Sequence, residues 1–581
     1  MCSLDRKRAL PEGNFAILAF LCPSGNLRGL NWTVLSRLVD RKSGCALLGG
    51  LLWAAAFPNI GIAGLAWVVP GLILGCALGT SPGRAFQLGY MAGMVHFLAS
   101  LYWLLYMPFP LGALTGWLAL SAYLAFYPAV WVWLCIRLMP PLDDSQGAFP
   151  GRRAIFQRHM GVSGLRRGVW ALACAAAWVA LEMVVGRVLT GFPWNYLGAS
   201  QYRILPVIQI ASVAGVYGVS FLVVWLSISL MSSVLAILVR PQQPRSWMAD
   251  LVVPMLLLAA VCGFGVSRVV NVPEPDRFLD VALIQPSIPQ TLIWDPGENS
   301  NRFAGLLELS EQAMGTHPDL MVWPEAAVPN LLRYEPESLQ AVQRLATGHG
   351  VWMILGADDA VSKRSSGPKP EFDFFNSAFL MDPKGELASV YRKRKLVIFG
   401  EYIPLVRWLP FLRHFTPIGD GFAAGSEPVP FELPDLGASL SVVICFEDVF
   451  PHLVREHASA EVDFLLNITN NGWFGESAAQ WQHAANAVFR AVENGLPLVR
   501  CANNGLTCLV DSRGRLSNTE FPGTDNVYGR GFKTVRVPLG PRGVRRELTF
   551  YNRHGDWFGW GCVGITVVLG GSTFRRRFRN P

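Results

Sequence analysis

Between residues 43 and 270 apolar positions run almost without a break. From about residue 278 they shorten into bursts separated by turn residues. The first texture is that of membrane-crossing helices, which need about 20 consecutive apolar residues. Such stretches fall at 43–58, 61–79, 85–106, 111–137, 168–188, 207–238 and 248–270, and an eighth at 556–573. The sixth is long enough to tilt or to begin with an interfacial segment. The second texture predicts strands at 279–285, 320–323, 351–355, 377–381, 440–444, 463–468, 498–501 and 507–510, with helices at 299–314 and 478–494. Strands interleaved with helices predict a layered α/β domain. Four segments follow: a cytoplasmic N-terminal stretch, 1–42; a seven-helix transmembrane bundle, 43–270; a globular domain, 271–555; and a last transmembrane helix with a basic tail, 556–581.

Composition agrees with a divided chain. Of 581 residues, 51% are hydrophobic and 15% charged, whereas soluble domains carry about 25% charged residues. The net charge is +8, with arginines clustered beside the apolar stretches at 6–8, 152–153, 166–167 and 575–577. That placement is a topology signal and not a nucleic-acid surface. The basic segments are 1–42, the 80–84 turn, 138–167, 239–247 and the tail, whereas the turns at 59–60 and 107–110 carry no Lys or Arg. With eight spans every basic segment falls on one side, so both termini are expected in the cytoplasm and 271–555 on the outer side of the membrane. Arg203 is the exception. Arg6-Lys7-Arg8 before an apolar run looks like a signal peptide ending at Cys22, but Leu21 is too large for the position before a processed cysteine, so 1–42 is read as retained. Among eleven cysteines no CxxC pair and no metal spacing occurs. Cys501 and Cys508 could bridge, though buried strand thiols are the better reading. Glu182 and Arg187, at the outer end of the fifth span, are read as a pair beside a lipid headgroup.

Three residues carry candidate chemistry because each ends or follows an apolar strand: Glu325 in Val322-Trp323-Pro324-Glu325, Lys393 in Tyr391-Arg392-Lys393, and Cys445 in Val443-Ile444-Cys445-Phe446-Glu447. A thiol attacks as thiolate. A carboxylate can take its proton, and an ammonium can steady the thiolate and then a tetrahedral oxyanion. Together they describe acyl transfer through a thioester. Taken singly, each has a plainer reading, as packed thiol, helix-start carboxylate or solvated lysine, and spacing alone does not decide.

Five passages in order decide it: Trp323-Pro324-Glu325; Tyr391-Arg392-Lys393 with Phe399-Gly400-Glu401-Tyr402-Ile403-Pro404; Ile444-Cys445-Phe446-Glu447; Asn467-Ile468-Thr469-Asn470-Asn471-Gly472-Trp473-Phe474-Gly475 with Trp481-Gln482-His483; and Arg500 with Asn503-Asn504-Gly505. Behind the apolar bundle, and with Gly191-Phe192-Pro193-Trp194 between the fifth and sixth spans, they resemble the nitrilase superfamily and, within it, the apolipoprotein N-acyltransferase family. The resemblance covers nearly the whole chain. It implies an αββα sandwich and a catalytic triad of Glu325, Lys393 and Cys445, supported by Glu401 and Glu447. It places Trp294 on a substrate cavity. Trp473 and Trp408 are expected at the substrate as well. Where the family often has tyrosine after the nucleophile, this chain has Phe446.

The implied reaction is ping-pong. Cys445 takes an acyl chain from a membrane phospholipid, phosphatidylethanolamine by resemblance, and passes it to the α-amine of a diacylglyceryl-cysteine at the N-terminus of an apolipoprotein. No cofactor, no metal and no nucleic acid is expected, and the enzyme is expected to be a monomer. A membrane-tethered amidase using the same triad on a small amide is the alternative, and a transporter or lipid-binding scaffold with an inactive outer domain is a rival of another class. Two aromatic-rich segments, 402–424 and 472–481, are candidate lipid-access loops.

Overall fold

The computed structural model describes residues 40–140, 162–239, 244–272, 274–362, 371–406, 408–416, 421–521 and 526–579. Most of the expected N-terminal segment, Arg152, Arg153, Arg158 and Arg240, and the side chains of the basic tail lie outside them.

Each expected span corresponds to helix: α1 (Arg41–Ala55), α2 (Val69–Ala77, after a 3₁₀ turn at Ala63–Trp67), α3 (Pro82–Ser100), α4 (Pro110–Arg137), α5 (Gly164–Val185), α6 (Ala211–Val239), α7 (Pro244–Val270) and, after the globular domain, a helix at Trp557–Arg579. Four segments, Pro110–Arg137, Gly164–Val185, Ala211–Leu238 and Trp247–Val270, are long and apolar enough to cross a bilayer. The long sixth stretch breaks at Gly215, whose φ of 66° leaves the helical region. Small residues set how closely the helices approach. A Cβ on Gly50 would lie 2.4 Å from the Ala92 carbonyl oxygen, and one on Gly71 would lie 2.4 Å from that of Ser227. At one end of the bundle Arg167 and Asp250, both buried, form an ion pair at 3.0 Å.

Glu182 and Arg187 do not pair with each other. The Glu182 carboxylate accepts from Trp178 Nε1 at 2.9 Å and from the Leu197 amide at 2.8 Å. Arg187 instead forms an ion pair with Asp556. The expected headgroup pair is corrected accordingly: one member braces the 191–197 loop, and the other ties α5 to the C-terminal helix.

The globular domain holds two six-stranded sheets. The first has the order β12-β1-β2-β3-β4-β5, with β1 Arg277–Gln285, β2 Leu320–Val322, β3 Trp352–Ser362, β4 Phe372–Met381, β5 Leu387–Arg392 and β12 Gly531–Leu539. The second has the order β11-β10-β9-β8-β7-β6, with β6 Pro430–Leu433, β7 Ala438–Ile444, β8 Phe464–Thr469, β9 Leu498–Ala502, β10 Cys508–Val510 and β11 Leu516–Ser517. Alternate residues of both inner faces, among them Leu283, Ile354, Val442 and Leu466, fill the core between the sheets. Helices α8 (Asn299–Met314) and α9 (Pro336–His349) cover the outside of the first sheet. Helices α10 (Pro451–His457) and α11 (Ala479–Asn494) cover the second, completing the αββα sandwich. Cys501 and Cys508 are buried free thiols.

The outer helix layer of the second sheet packs against the bundle. Val488, Val492 and Phe450 belong to the same hydrophobic cluster as Trp53, Trp131 and Val223 of the bundle. Every residue of α11 except Trp481 is buried, including seven polar or charged side chains. Gln482 makes the closest set of contacts across the junction: Oε1 accepts from Trp103 Nε1 at 3.1 Å and Trp194 Nε1 at 2.8 Å, and Nε2 donates to the carbonyls of Pro58 at 2.8 Å and Ser100 at 3.1 Å.

Candidate active site

The site forms where strand ends of both sheets meet. Glu325 follows β2, Lys393 follows β5, and Cys445 follows β7. Chain direction and sheet packing, and not sequence spacing, bring them together. Lys393, only 1% exposed, places Nζ 3.1 Å from Glu325 Oε1 and 2.9 Å from Glu401 Oε1. Asn376 Nδ2 bridges the same two oxygens, at 2.8 and 2.9 Å. The outer oxygen of each carboxylate is also fixed: Asn470 N–H donates to Glu325 Oε2 at 2.8 Å, and Val397 N–H donates to Glu401 Oε2 at 2.9 Å. Burial alone would discharge Lys393, but Glu325 and Glu401 outweigh it and hold the ammonium well above its ordinary range.

Cys445 sits at a sharp strand-to-helix turn with φ 53°, a left-handed conformation that non-glycine residues rarely adopt and that clusters at functional sites. Three groups hold the turn. Asn467 Nδ2 donates to the Cys445 carbonyl at 3.0 Å, and His483 Nε2 lies 3.2 Å from that same oxygen. Glu447 folds back to accept from Ile444 N–H at 2.7 Å. The Glu447 carboxylate also accepts from the amides of Arg394 at 2.7 Å and Lys395 at 3.0 Å, and from Tyr391 Oη at 2.9 Å. It therefore couples the Cys445 turn to the strand end that carries Lys393. Burial pushes the Cys445 thiol up to about 12, with Glu325 adding to the rise and Lys393 opposing it. At rest the proton belongs on sulfur.

Asp448, on the same turn, is fully buried between His483, 2.7 Å away, and Arg500. Burial holds His483 below its ordinary range despite that carboxylate, so the ring orients the turn as a neutral group.

Among the residues expected at the substrate, Trp294 and Trp473 meet edge to face at 5.1 Å. Asn470 Nδ2, 3.0 Å from Gln290 Oε1, ties their two segments together. Trp408 stands apart, 82% exposed on the loop with Leu405 (64%) and Phe411 (55%). The second aromatic segment is packed: Phe474 lies edge-on to Trp103 at 4.6 Å, and Arg203 covers Trp481 at 5.3 Å. Phe446 joins an aromatic stack with Phe192 at 5.8 Å and Trp194 at 5.9 Å. The loop between the fifth and sixth apolar stretches thus touches the residue next to Cys445. Sequence reasoning had not singled out Asn376. Its signal was a lone amide in Phe374-Phe375-Asn376-Ser377-Ala378-Phe379, a strand otherwise apolar enough to bury it. Among the described residues no cluster of potential metal ligands occurs.

Residues 280–525 match the carbon-nitrogen hydrolase family model, and residues 49–229 match the apolipoprotein N-acyltransferase N-terminal domain. Over 544 residues the chain is 35% identical to the apolipoprotein N-acyltransferase of Geobacter metallireducens, covering 92% of this chain and 95% of that one. With the protein of that name from Vibrio vulnificus the identity is 31% over 547 residues, covering 91% and 96%. With that from Allorhizobium ampelinum it is 30% over 527 residues, covering 86% and 91%.

Proposed function

The chain belongs to the apolipoprotein N-acyltransferase family, and we propose that it carries an acyl chain from a membrane phospholipid to a lipoprotein N-terminus by way of a thioester on Cys445. The observation that carries this reading is the buried Lys393 ammonium bridging Glu325 and Glu401 beside a thiol held at a strained turn. In the first half-reaction Glu325 takes the Cys445 proton as sulfur attacks the ester carbonyl of the phospholipid. Lys393 and the backbone N–H groups after Cys445 steady the oxyanion. Glu325 then returns the proton to the departing glycerol oxygen, and lysophospholipid leaves. In the second half-reaction the α-amine of a diacylglyceryl-cysteine attacks the thioester, and an amide-linked third chain results. Glu401 and Asn376 hold the base and the cation in register, and Glu447 sets the distance between cation and nucleophile.

In this reading the chain crosses the membrane eight times, the site lies at the outer membrane–water boundary, 271–555 lies in the periplasm, and both termini lie in the cytoplasm. Both substrates are anchored in the bilayer, so the bundle confines their encounter to two dimensions. The exposed Leu405, Trp408 and Phe411 suit a loop at headgroup level, through which the donor approaches.

Mass spectrometry of the intact protein incubated with phosphatidylethanolamine tests the reading. A long-chain acyl adduct on Cys445, released by hydroxylamine and discharged by a diacylated lipopeptide, is expected. Absence of the adduct together with hydrolysis of small amides would favour the amidase instead.

A further inference from the structure

Three neighbouring strand positions present one row of side chains to the triad. Asp358 on β3 pairs directly with Asn376 on β4. Lys393, whose N–H donates to the Asn376 carbonyl at 2.8 Å, continues the row. Residues directly opposed on adjacent strands share a face, with Cβ atoms about 5 Å apart. Gly356 identifies that face independently, since a Cβ there would lie 2.0 Å from the Pro324 carbonyl oxygen and 2.9 Å from Glu325 Cα. The two-residue period puts Asp358 on the Glu325 side and Asp359 on the other, where Arg392 binds it at 2.8 Å.

Asp358 differs from its neighbours in having no partner. Glu325 and Glu401 each hold Lys393, the Asn376 amide and one backbone N–H. Among the described residues the Asp358 side chain makes no hydrogen bond or ion pair, and the residue is half-buried. Beside it the Oδ1 atom of Asn376, a residue only 5% exposed, is buried without a partner. Two of the three carboxyl groups on this face therefore hold the Lys393 ammonium, and the third does not. The titratable groups on this face of the site are Glu325, Glu401, Lys393 and Cys445. Burial, with the charges of Glu325 and Glu401, pushes Asp358 up to about 7.

We propose that Asp358 receives the α-ammonium of the acceptor beside the thioester and removes its first proton, making it the base of the second half-reaction. The inference rests on the acyl-transfer reading above. The amine must reach the carbonyl held on Cys445, so its charged form has to be accommodated and then neutralised within this pocket. An α-ammonium loses its proton at about pH 7.7–8.0 in water, and only the neutral amine attacks. Asp358 takes one proton, the C–N bond forms, and the C–S bond breaks with the electron pair going to sulfur. Glu325 takes the second proton from nitrogen and returns it to Cys445, and Asp358 releases its own to water. An ethanolamine headgroup offers the same ammonium chemistry, but it lies many bonds from the ester carbonyl that meets Cys445.

The test separates the half-reactions in the full-length protein in detergent–phospholipid micelles. Acyl-enzyme is formed with phosphatidylethanolamine or phosphatidylglycerol, freed of donor, and discharged with a diacylated lipopeptide at pH 6–9. For Asp358→Asn, discharge at pH 7 should fall about tenfold, set by the scarcity of neutral amine at that pH when the α-ammonium titrates at about 7.7–8.0, and should recover by pH 9 as the amine deprotonates unaided. Acylation should move far less, and Asp358→Glu should restore most of the discharge. Asp358→Ser is the second variant if the Asn form does not accumulate. Equal loss in both half-reactions, unchanged discharge at pH 7, or a loss confined to acylation by phosphatidylethanolamine would each overturn the assignment. Failure of the wild-type protein to form any thioester would instead refute the acyl-transfer reading itself.

Discussion

Replacing Gln482 by methionine, which matches its length but not its hydrogen bonds, should loosen the catalytic domain from the bundle. One side chain satisfies two indole N–H groups and two carbonyl oxygens, from Trp103, Trp194, Pro58 and Ser100, at 2.8–3.1 Å. The site is buried, so Met would leave all four without a partner. A lost buried hydrogen bond costs about 1 kcal/mol, and an unsatisfied group about 1–3 kcal/mol. The sum is about 4 kcal/mol or more, among the largest effects of a single substitution. The loss also reaches the chemistry. Trp194 stacks on Phe446 at 5.9 Å and lies 5.2 Å from the His483 ring, so the turn bearing Cys445 loses its outer wall. Gln482→Glu should be milder only at acid pH, where one oxygen accepts from both indoles and the protonated other donates to a carbonyl; as a carboxylate it faces the Pro58 and Ser100 carbonyls with no proton to give. The assay is thermal unfolding in detergent read by tryptophan fluorescence, with single-turnover acylation alongside. A methionine variant that melts within about 2 °C of wild type and acylates at the same rate would refute the reasoning.

Four further outcomes are expected. Cys445→Ala should form no acyl-enzyme while remaining folded in the membrane, checked by mass spectrometry and by the melting curve; residual transfer would exclude the thioester route. Glu325→Gln should lose acylation by about 10²–10⁴-fold, the usual weight of a general base. Yet it should be alkylated faster by iodoacetamide at pH 8, since Glu325 raises the thiol and Lys393 lowers it; slower alkylation would contradict that electrostatic balance. Asp358 titrates near 7 in the fold against an ordinary 3.8. The folded chain thus holds a proton that the unfolded chain has released, and this group's contribution falls as pH rises from about 4 to about 7. Asp358→Asn should therefore melt higher than wild type at pH 8 and no higher at pH 4; the reverse order would show that its carboxylate has a partner. Trp408→Gln should leave the melting temperature unchanged, because the ring is 82% exposed, while slowing acylation by bilayer phospholipid; a loss of stability would place the ring in a core instead.

The sequence read well wherever local texture carried the signal. Each of the eight apolar stretches corresponds to helix, and the 299–314 helix and the strands ending at Gln285 and Ile444 lie where expected. Elements stabilised across the fold were missed. The strand Gly531–Leu539 pairs with Arg277–Gln285, some 250 residues earlier, and its alternation, interrupted by Lys533 and Pro538, is hard to see alone. Lys533 is nonetheless nearly buried because its Nζ donates to the carbonyls of Thr507 and Thr519, both at 2.8 Å. Helix Pro336–His349 was not anticipated, because Glu, Gln, Arg and His dominate its outer face. Within the site, Glu325, Lys393 and Cys445 were legible because each follows an apolar run. Asp358 was not, because an acidic pair in Ala357-Asp358-Asp359 reads as solvated surface. Only strand register sends one member to Arg392 and the other to the triad. The supposed Glu182–Arg187 pair failed for a related reason. Proximity in sequence suggested mutual neutralisation, while Arg187 found its counter-charge at Asp556, 369 residues away.

That distant ion pair has a consequence for how the molecule is made. The helix Trp557–Arg579 packs on α5, and Gly559 fits there because any Cβ would lie 2.3 Å from Met183 Sδ. The groove on α5 exists early in synthesis, but its occupant emerges only after the whole sandwich. Until then Arg187, at the base of the loop that touches Phe446, lacks its counter-ion. A nascent chain that already contains Glu325, Lys393 and Cys445 is thus still an open vessel. The helix after the sandwich therefore acts as a clasp on a contact opened 369 residues earlier, so the bundle is completed later than the strands that carry Glu325, Lys393 and Cys445.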